Sequence, residues 1–189
     1  MIKITVIVTT YNRPEYISET LEAIFSQTYK NFEVILVDDG SRENYVDIYK
    51  EKYPELTLIK KQNAGISAAR NSGVERASGD WIAFCDDDDV WMPDKLERQV
   101  EATEYDKEAG LIHGKMELID KHGIRITNEV SCAGAGAFTS KLIAEKLFSI
   151  WISSLFFFTN TKPYIMSGCI FLLYIMDIIC CNQRNSCTL

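Results

Sequence analysis

Trp81-Ile82-Ala83-Phe84-Cys85-Asp86-Asp87-Asp88-Asp89 joins an apolar run to four consecutive carboxylates. The apolar half reads as a buried strand, and the acidic half as the loop that the strand delivers. Adjacent carboxylates repel by roughly 2–4 kcal/mol per pair at an effective dielectric near 20. Lys95 and Arg98, the nearest following cations, lie too far along the chain for local salt bridges. A solvated acidic turn is one reading. The other is a hard divalent cation carrying a phosphate ligand, which removes the repulsion. In an extended segment Asp86 and Asp88 share one face, a suitable pair for Mn²⁺ or Mg²⁺. Asp87, on the opposite face, is then placed to serve a ribose hydroxyl.

Working outward, Ile4 to Thr9 and Phe32 to Val37 read as two further buried strands, and Leu56 to Ile59 as a short one. Helical spacing of Ile17, Leu21, Ile24 and Phe25 predicts a helix opened at Pro14. Others are expected over about 44–53, over 66–77, and from Pro93 onward. Strands alternating with helices imply crossover units, hence an α/β fold with a mostly parallel sheet flanked by helices. Residues 111–119 and 124–127, around a turn at Lys121-His122-Gly123, predict an appended β-hairpin.

Ligands of such sheets lie outside the carboxyl ends of the strands. Three polar loops fall there: Thr9-Thr10-Tyr11-Asn12, Asp38-Asp39-Gly40-Ser41, and the aspartate run. Thr9 and Tyr11 offer a backbone edge and an aromatic face for a flat base, although Tyr11 also reads as a packing residue. Asp39 can accept from the imide N–H of uracil; alternatively, Asp38 and Asp39 form an Asx-type turn with Gly40. Arg70, on the helix that follows Asn63-Ala64-Gly65, suits a diphosphate, and Gly65 permits close backbone approach. Its alternative is an ordinary helix-surface arginine.

Five segments, in this order, resemble the family 2 glycosyltransferases, which have the Rossmann-like GT-A fold. They are Val6-Ile7-Val8-Thr9-Thr10-Tyr11-Asn12-Arg13, Ser26-Gln27-Thr28-Tyr29, Val37-Asp38-Asp39-Gly40-Ser41, Asn63 through Asn71, and Asp86 through Trp91. The resemblance implies a nucleotide-diphospho-sugar donor, here a UDP-sugar. It implies Asp39 at the base, Asp86 to Asp88 as the metal-binding acidic motif, and transfer with inversion to a saccharide or lipid-linked acceptor. It also points to polysaccharide or cell-envelope biosynthesis. The family's catalytic base normally lies in an acidic pair in the second half. After Glu129 this chain offers only Glu145 and Asp177, so no base is assigned.

Residues 1–131 hold 25 of the 27 acidic and 16 of the 20 basic residues, a net −9, whereas residues 132–189 carry +2 and five of the six cysteines. The acidic balance argues against a nucleic-acid partner. The break divides the chain into a nucleotide-sugar-binding domain, 1–131, and an incomplete acceptor-side region or apolar tail, 132–189. Apolar runs within 147–181 are shorter than the roughly 20 residues that span a bilayer. They read either as a membrane-associating segment or as the mark of a longer transferase cut short, which would make the chain a catalytically incomplete binding protein. The start Met1-Ile2-Lys3 leads into a strand without a signal-peptide pattern, so the expected location is cytoplasmic, peripheral at the inner membrane face if the tail associates. A nucleotidyltransferase is disfavoured because Thr9 to Pro14 contains no glycine for a triphosphate loop. A phospho-receiver domain would want its acidic pair after the first strand, where Thr9-Thr10 stands.

Overall fold

The computed structural model describes residues 1–105, 111–114, 117–120, 122–126 and 155–158. Its elements in chain order are β1 (Ile4–Thr10), α1 (Ile17–Phe25), β2 (Phe32–Asp38), α2 (Asp47–Lys52), β3 (Thr57–Lys60), α3 (Ile66–Arg76), β4 (Trp81–Asp86), α4 (Lys95–Tyr105), β5 (Leu111–His113) and β6 (Leu155–Phe158). The sheet order is β3-β2-β1-β4-β6-β5. The first four strands are mutually parallel, as the alternating pattern predicts, and β6 runs antiparallel to both β4 and β5.

β-branched side chains suit the pleat, and β1 is buried at every position because it has a strand on each side and helices on both faces. Alternation sorts its side chains. Ile4, Val6 and Val8 join Val34, Leu36, Ala83 and Cys85 in one core, closed by Ile17, Leu21 and Ile24 of α1, Tyr49 of α2 and Leu96 of α4. On the other face α3 lies against β1 and β2. Gly73 allows this approach: a Cβ there would stand 2.5 Å from Ile7 Cγ2. Each fully buried Ile or Leu of this core contributes about 1.5–3 kcal/mol.

Three strands run one residue beyond their apolar stretches, to Thr10, Asp38 and Asp86. The ladder pairs Thr10 with Asp38 and Thr9 with Asp86, so backbone pairing outlasts apolarity. The helices start later than Pro14 and Pro93 suggest, at Ile17 and Lys95, because each proline opens a turn first. The Ser26–Tyr29 segment ties α1 to the entry of α4. Buried Gln27 donates to Met92 O at 2.7 Å and accepts from Leu96 N at 3.0 Å. Thr28 N donates to Pro93 O, and Tyr29 Oη to Ile2 O.

The described partner of β5 is β6, while an antiparallel bridge between Ile119 and Arg125 closes the turn at Gly123. Residues 115, 116, 121 and 127 of the expected hairpin lie outside the described residues, as do Glu129, Glu145, Asp177 and the apolar region apart from 155–158. Among the described residues no helix is long and apolar enough to cross a membrane.

At the opposite end of the sheet from the polar loops, Glu33 joins β1, β2 and the turn into β4. It accepts from Lys3 Nζ at 2.8 Å, Thr5 Oγ1 at 2.5 Å and Ser78 N at 2.7 Å. Partial burial raises its pKa, but these donors overcome that and hold it at about 2 instead of 4.5. The depressed value means the stabilisation is complete above pH 4.5 and is lost as pH falls toward 2. Allowing for solvent screening, it amounts to about 1–2 kcal/mol at neutral pH. Urea unfolding at pH 7 and pH 3 should therefore show Glu33→Gln less stable than the parent at pH 7, with the gap closing in acid. A gap independent of pH would contradict the assignment.

Candidate functional site

Strand order reverses at β1, with β2 on one side and β4 on the other, and ligands of such sheets bind beyond the carboxyl ends at this point. Thr9, Tyr11, Asp39 and the aspartate run all lie at this edge, as expected from the sequence. Thr9 is buried at the end of β1, and Tyr11 is 43% exposed, leaving a ring face to solvent.

The extended-segment expectation for Asp86 to Asp88 is corrected. β4 ends at Asp86, and Asp89 N donates to Asp86 O at 3.2 Å, closing a turn over Asp87 and Asp88. The three side chains diverge instead of alternating. Asp86 meets Arg70, whose Nη2 donates to Oδ1 at 2.5 Å. Asp87 points inward and is 5% exposed. Asp88 faces out and takes Arg13 Nη1 at 2.7 Å, with Asp87 Oδ1 3.3 Å from the same nitrogen. The repulsion is thus relieved by cations distant in sequence. Lys95, instead of bridging locally, sets Nζ 3.9 Å from the centre of the Trp91 ring and donates to Gln99. Burial pulls Lys95 down to about 8 and pushes the Cys85 thiol above its usual range, with Asp89 and Asp86 adding to the latter.

Asp87 is the support beneath the turn. Burial raises its pKa, against the hydrogen bond from Thr10 and the charge of Arg13. Arg13 feels the converse. Burial lowers it, but Asp87 and Asp88 outweigh that and raise it. Thr20 Oγ1 holds the Asp87 carbonyl at 2.8 Å. Thr10 Oγ1 donates its one proton to Asp87 Oδ2 at 2.7 Å, so Tyr45 Oη, 2.8 Å away, donates to Thr10. Tyr45 Oη in turn accepts from Arg13 N at 3.2 Å. The expected ribose contact does not match this inward, engaged carboxylate.

Asp38 forms the Asx-type turn, with Oδ1 accepting from Ser41 N at 3.0 Å and from its hydroxyl. Asp39 does something else. Only 4% exposed, it accepts from Lys61 Nζ at 2.7 Å, Asn63 Nδ2 at 3.1 Å, Ala64 N at 3.1 Å and Gly65 N at 2.9 Å. A carboxylate here caps the approach to α3 and complements the dipole of that helix. Gly40 (φ 80°) makes the close packing of the two loops feasible, since a Cβ would stand 2.7 Å from Asn63 N. Gly65 (φ 89°) turns the chain into the helix. Arg70, expected at a diphosphate, is 4% exposed and committed to orienting Asp86.

Sequence reasoning missed Tyr45 and Lys61 at this edge, and it gave Arg13 and Asn63 only as parts of the quoted segments, without a role. Register offered one signal. Lys60 lies opposite Asp38 on β3, which brings Lys61 beside Asp39. Nothing in the spacing connects Arg13 with the acidic turn. A shallow recess lined by Phe25, Phe32, Glu33 and Glu55 sits at the start of β2, away from all of these groups.

The donor set of the turn suits a hard cation. Asp86 and Asp88 are carboxylates at the rim with side chains 28% and 45% exposed. Among the described residues no group of three or more His, Cys, Asp or Glu is placed to hold a metal ion.

Residues 5–144 match the family described as Glycosyl transferase family 2, and the chain belongs to that family. It is 33% identical over 129 residues to an uncharacterized glycosyltransferase of Haemophilus influenzae, covering 67% of this chain and 44% of that protein. The putative teichuronic acid biosynthesis glycosyltransferase TuaG of Bacillus subtilis is 39% identical over 102 residues, 52% of this chain and 40% of TuaG. The chain spans less than half the length of these relatives. Residues 1–349 of Staphylococcus aureus TarS share the fold, with a TM-score of 0.64, 24% identity, and coverage of 86% of this chain and 49% of that one. The mannosyltransferase PcManGT of Pyrobaculum calidifontis, solved with GDP-Man and Mn²⁺, gives a TM-score of 0.56 at 30% identity, covering 59% of this chain and 35% of that one. These likenesses agree with the expected GT-A architecture.

Asp39→Asn removes the charge facing Lys61 and turns an N–H donor toward the backbone N–H groups of Ala64 and Gly65. Urea unfolding should register a loss of about 2–3 kcal/mol. An unchanged midpoint would show that the carboxylate does not hold the 61–65 loop.

Proposed function

We propose that the protein transfers a sugar from a nucleotide-diphospho-sugar, a UDP-sugar, to an acceptor hydroxyl with inversion at the anomeric carbon. The observation that carries this reading is the acidic turn Asp86–Asp88 facing the Thr9–Tyr11 and Asp39 loops across the reversal of the sheet. Tyr11 supplies an exposed ring for the base, and Thr9 a backbone edge. Asp39 reaches the base once Lys61 or Asn63 gives way. Asp88 and Asp86 hold Mn²⁺ or Mg²⁺, and Arg70 fixes the orientation of Asp86. A bound divalent ion supplies stabilisation of the charge developing on the departing nucleoside diphosphate. Asp87 keeps the turn in place from below.

PcManGT bound to GDP-Man and Mn²⁺ supports the metal and the donor class, and TarS solved with UDP-GlcNAc supports a nucleotide sugar in this fold. The name of TuaG favours a cell-wall polysaccharide as the product, built on a saccharide or lipid-linked acceptor. Matches to glycosyltransferases weigh against the inactive binding module.

Calorimetry with UDP-GlcNAc and Mn²⁺ tests the metal assignment. Asp88→Ala should abolish the Mn²⁺-dependent part of donor affinity and leave the circular dichroism spectrum unchanged. Retained Mn²⁺-dependent binding would remove Asp88 from the site. The unaltered chain should also release UDP slowly from a donor without acceptor, and it should prefer UDP to CDP. Binding without any release would favour the module over the enzyme.

A further inference from the structure

The side chain of Arg13 reaches the acidic turn where the proposed ion and diphosphate would meet. Its backbone is pinned by neighbouring loops, and its half-exposed tip is held by the acidic turn alone. Asn12, in the left-handed region at φ 54°, donates N–H to Ser41 Oγ at 2.9 Å and accepts from Arg42 N at 2.8 Å. Arg13 N–H is held by Tyr45 Oη. Beyond that anchor, a long and flexible side chain, 49% exposed, contacts Asp88 and Asp87 through one nitrogen. The guanidinium therefore neutralises the turn from a half-exposed position, through contacts made by one nitrogen.

We propose that Arg13 is a positioning residue that occupies the cation place on Asp88 and yields it to the divalent ion, then turns to the donor's diphosphate. This rests on the acidic turn being the metal and diphosphate site. Two physical facts drive the exchange. A guanidinium and a divalent ion repel each other, so the two compete for the Asp88 oxygens. A diphosphate entering with the ion brings new anionic oxygens, for which a planar fork of N–H donors is well matched. Thr10 and Thr20 keep Asp87 and the turn in place through the exchange, because neither depends on the tip of Arg13. The step is an exchange of ion pairs, with no covalent change.

The test uses the full chain with two probes, Mn²⁺ alone and UDP at saturating Mn²⁺. Arg13→Gln should bind Mn²⁺ alone about fivefold more tightly, the scale of one exposed ion pair removed as competitor. The same variant should bind UDP about tenfold more weakly, the scale of one charge-assisted hydrogen bond to a phosphate oxygen. A merely structural arginine would weaken both. Any pattern other than tighter Mn²⁺ with weaker UDP overturns the proposal. A second measurement does not depend on that variant. The Arg13 side-chain Nε–Hε NMR signal, assigned by its disappearance in Arg13→Lys, should shift when Mg²⁺ is added to the unaltered chain, and an unmoved signal also overturns the exchange. Asp88→Asn separates the two levels: if it leaves Mn²⁺ binding intact, the metal-site reading fails, whatever Arg13 does.

Discussion

Carboxylate crowding at the end of β4 is the constraint around which the rest of this edge is arranged. The sheet places Asp86, Asp87 and Asp88 on one short turn, and the fold brings two guanidiniums to it from different directions. Arg70 comes from α3 on one face, and Arg13 from the loop after β1. Attraction between unit charges about 4 Å apart is about 4 kcal/mol at an effective dielectric near 20, similar in size to the repulsion it offsets. The charge of the turn is therefore offset by cations that the fold itself supplies.

The same principle governs the second loop. Asp39 is surrounded by donors from the segment that leads into α3, while Asp38 closes its own turn with Ser41. Tyr45 links the two regions, because its hydroxyl connects the backbone of Arg13 to Thr10 and thence to Asp87. Loops far apart in sequence thus behave as one hydrogen-bonded unit resting on the ends of β1, β2 and β4. In the proposed function, base and diphosphate would meet parts whose positions are already coupled.

Family membership rests on residues 5–144, yet the chain spans less than half the length of the relatives it matches. The residues of the proposed site all lie between Thr9 and Asp88, so the proposed chemistry concerns the donor side. Beyond residue 131, Leu155–Phe158 enters the sheet between β4 and β5. Apolar composition read as a tail includes a strand, since a run of apolar residues cannot itself distinguish a membrane surface from a neighbouring β-strand.

Sequence alone determined the alternation of strands and helices, the parallel sheet and the edge at which the polar loops gather. Those follow from the period of apolar side chains and from turn residues, both of which are local properties. It also singled out the aspartates, because four like charges in a row need some compensation wherever the chain goes. Tertiary structure alone decided what compensates them. Arg13 and Asp88 are 75 residues apart, and Lys61 and Asp39 are 22 apart. Strand register sets such meetings, and side-chain periodicity carries no record of which strand will lie beside which. For the same reason only the folded chain turned Asp87 inward and Asp39 toward α3: a carboxylate's direction depends on donors supplied by other segments.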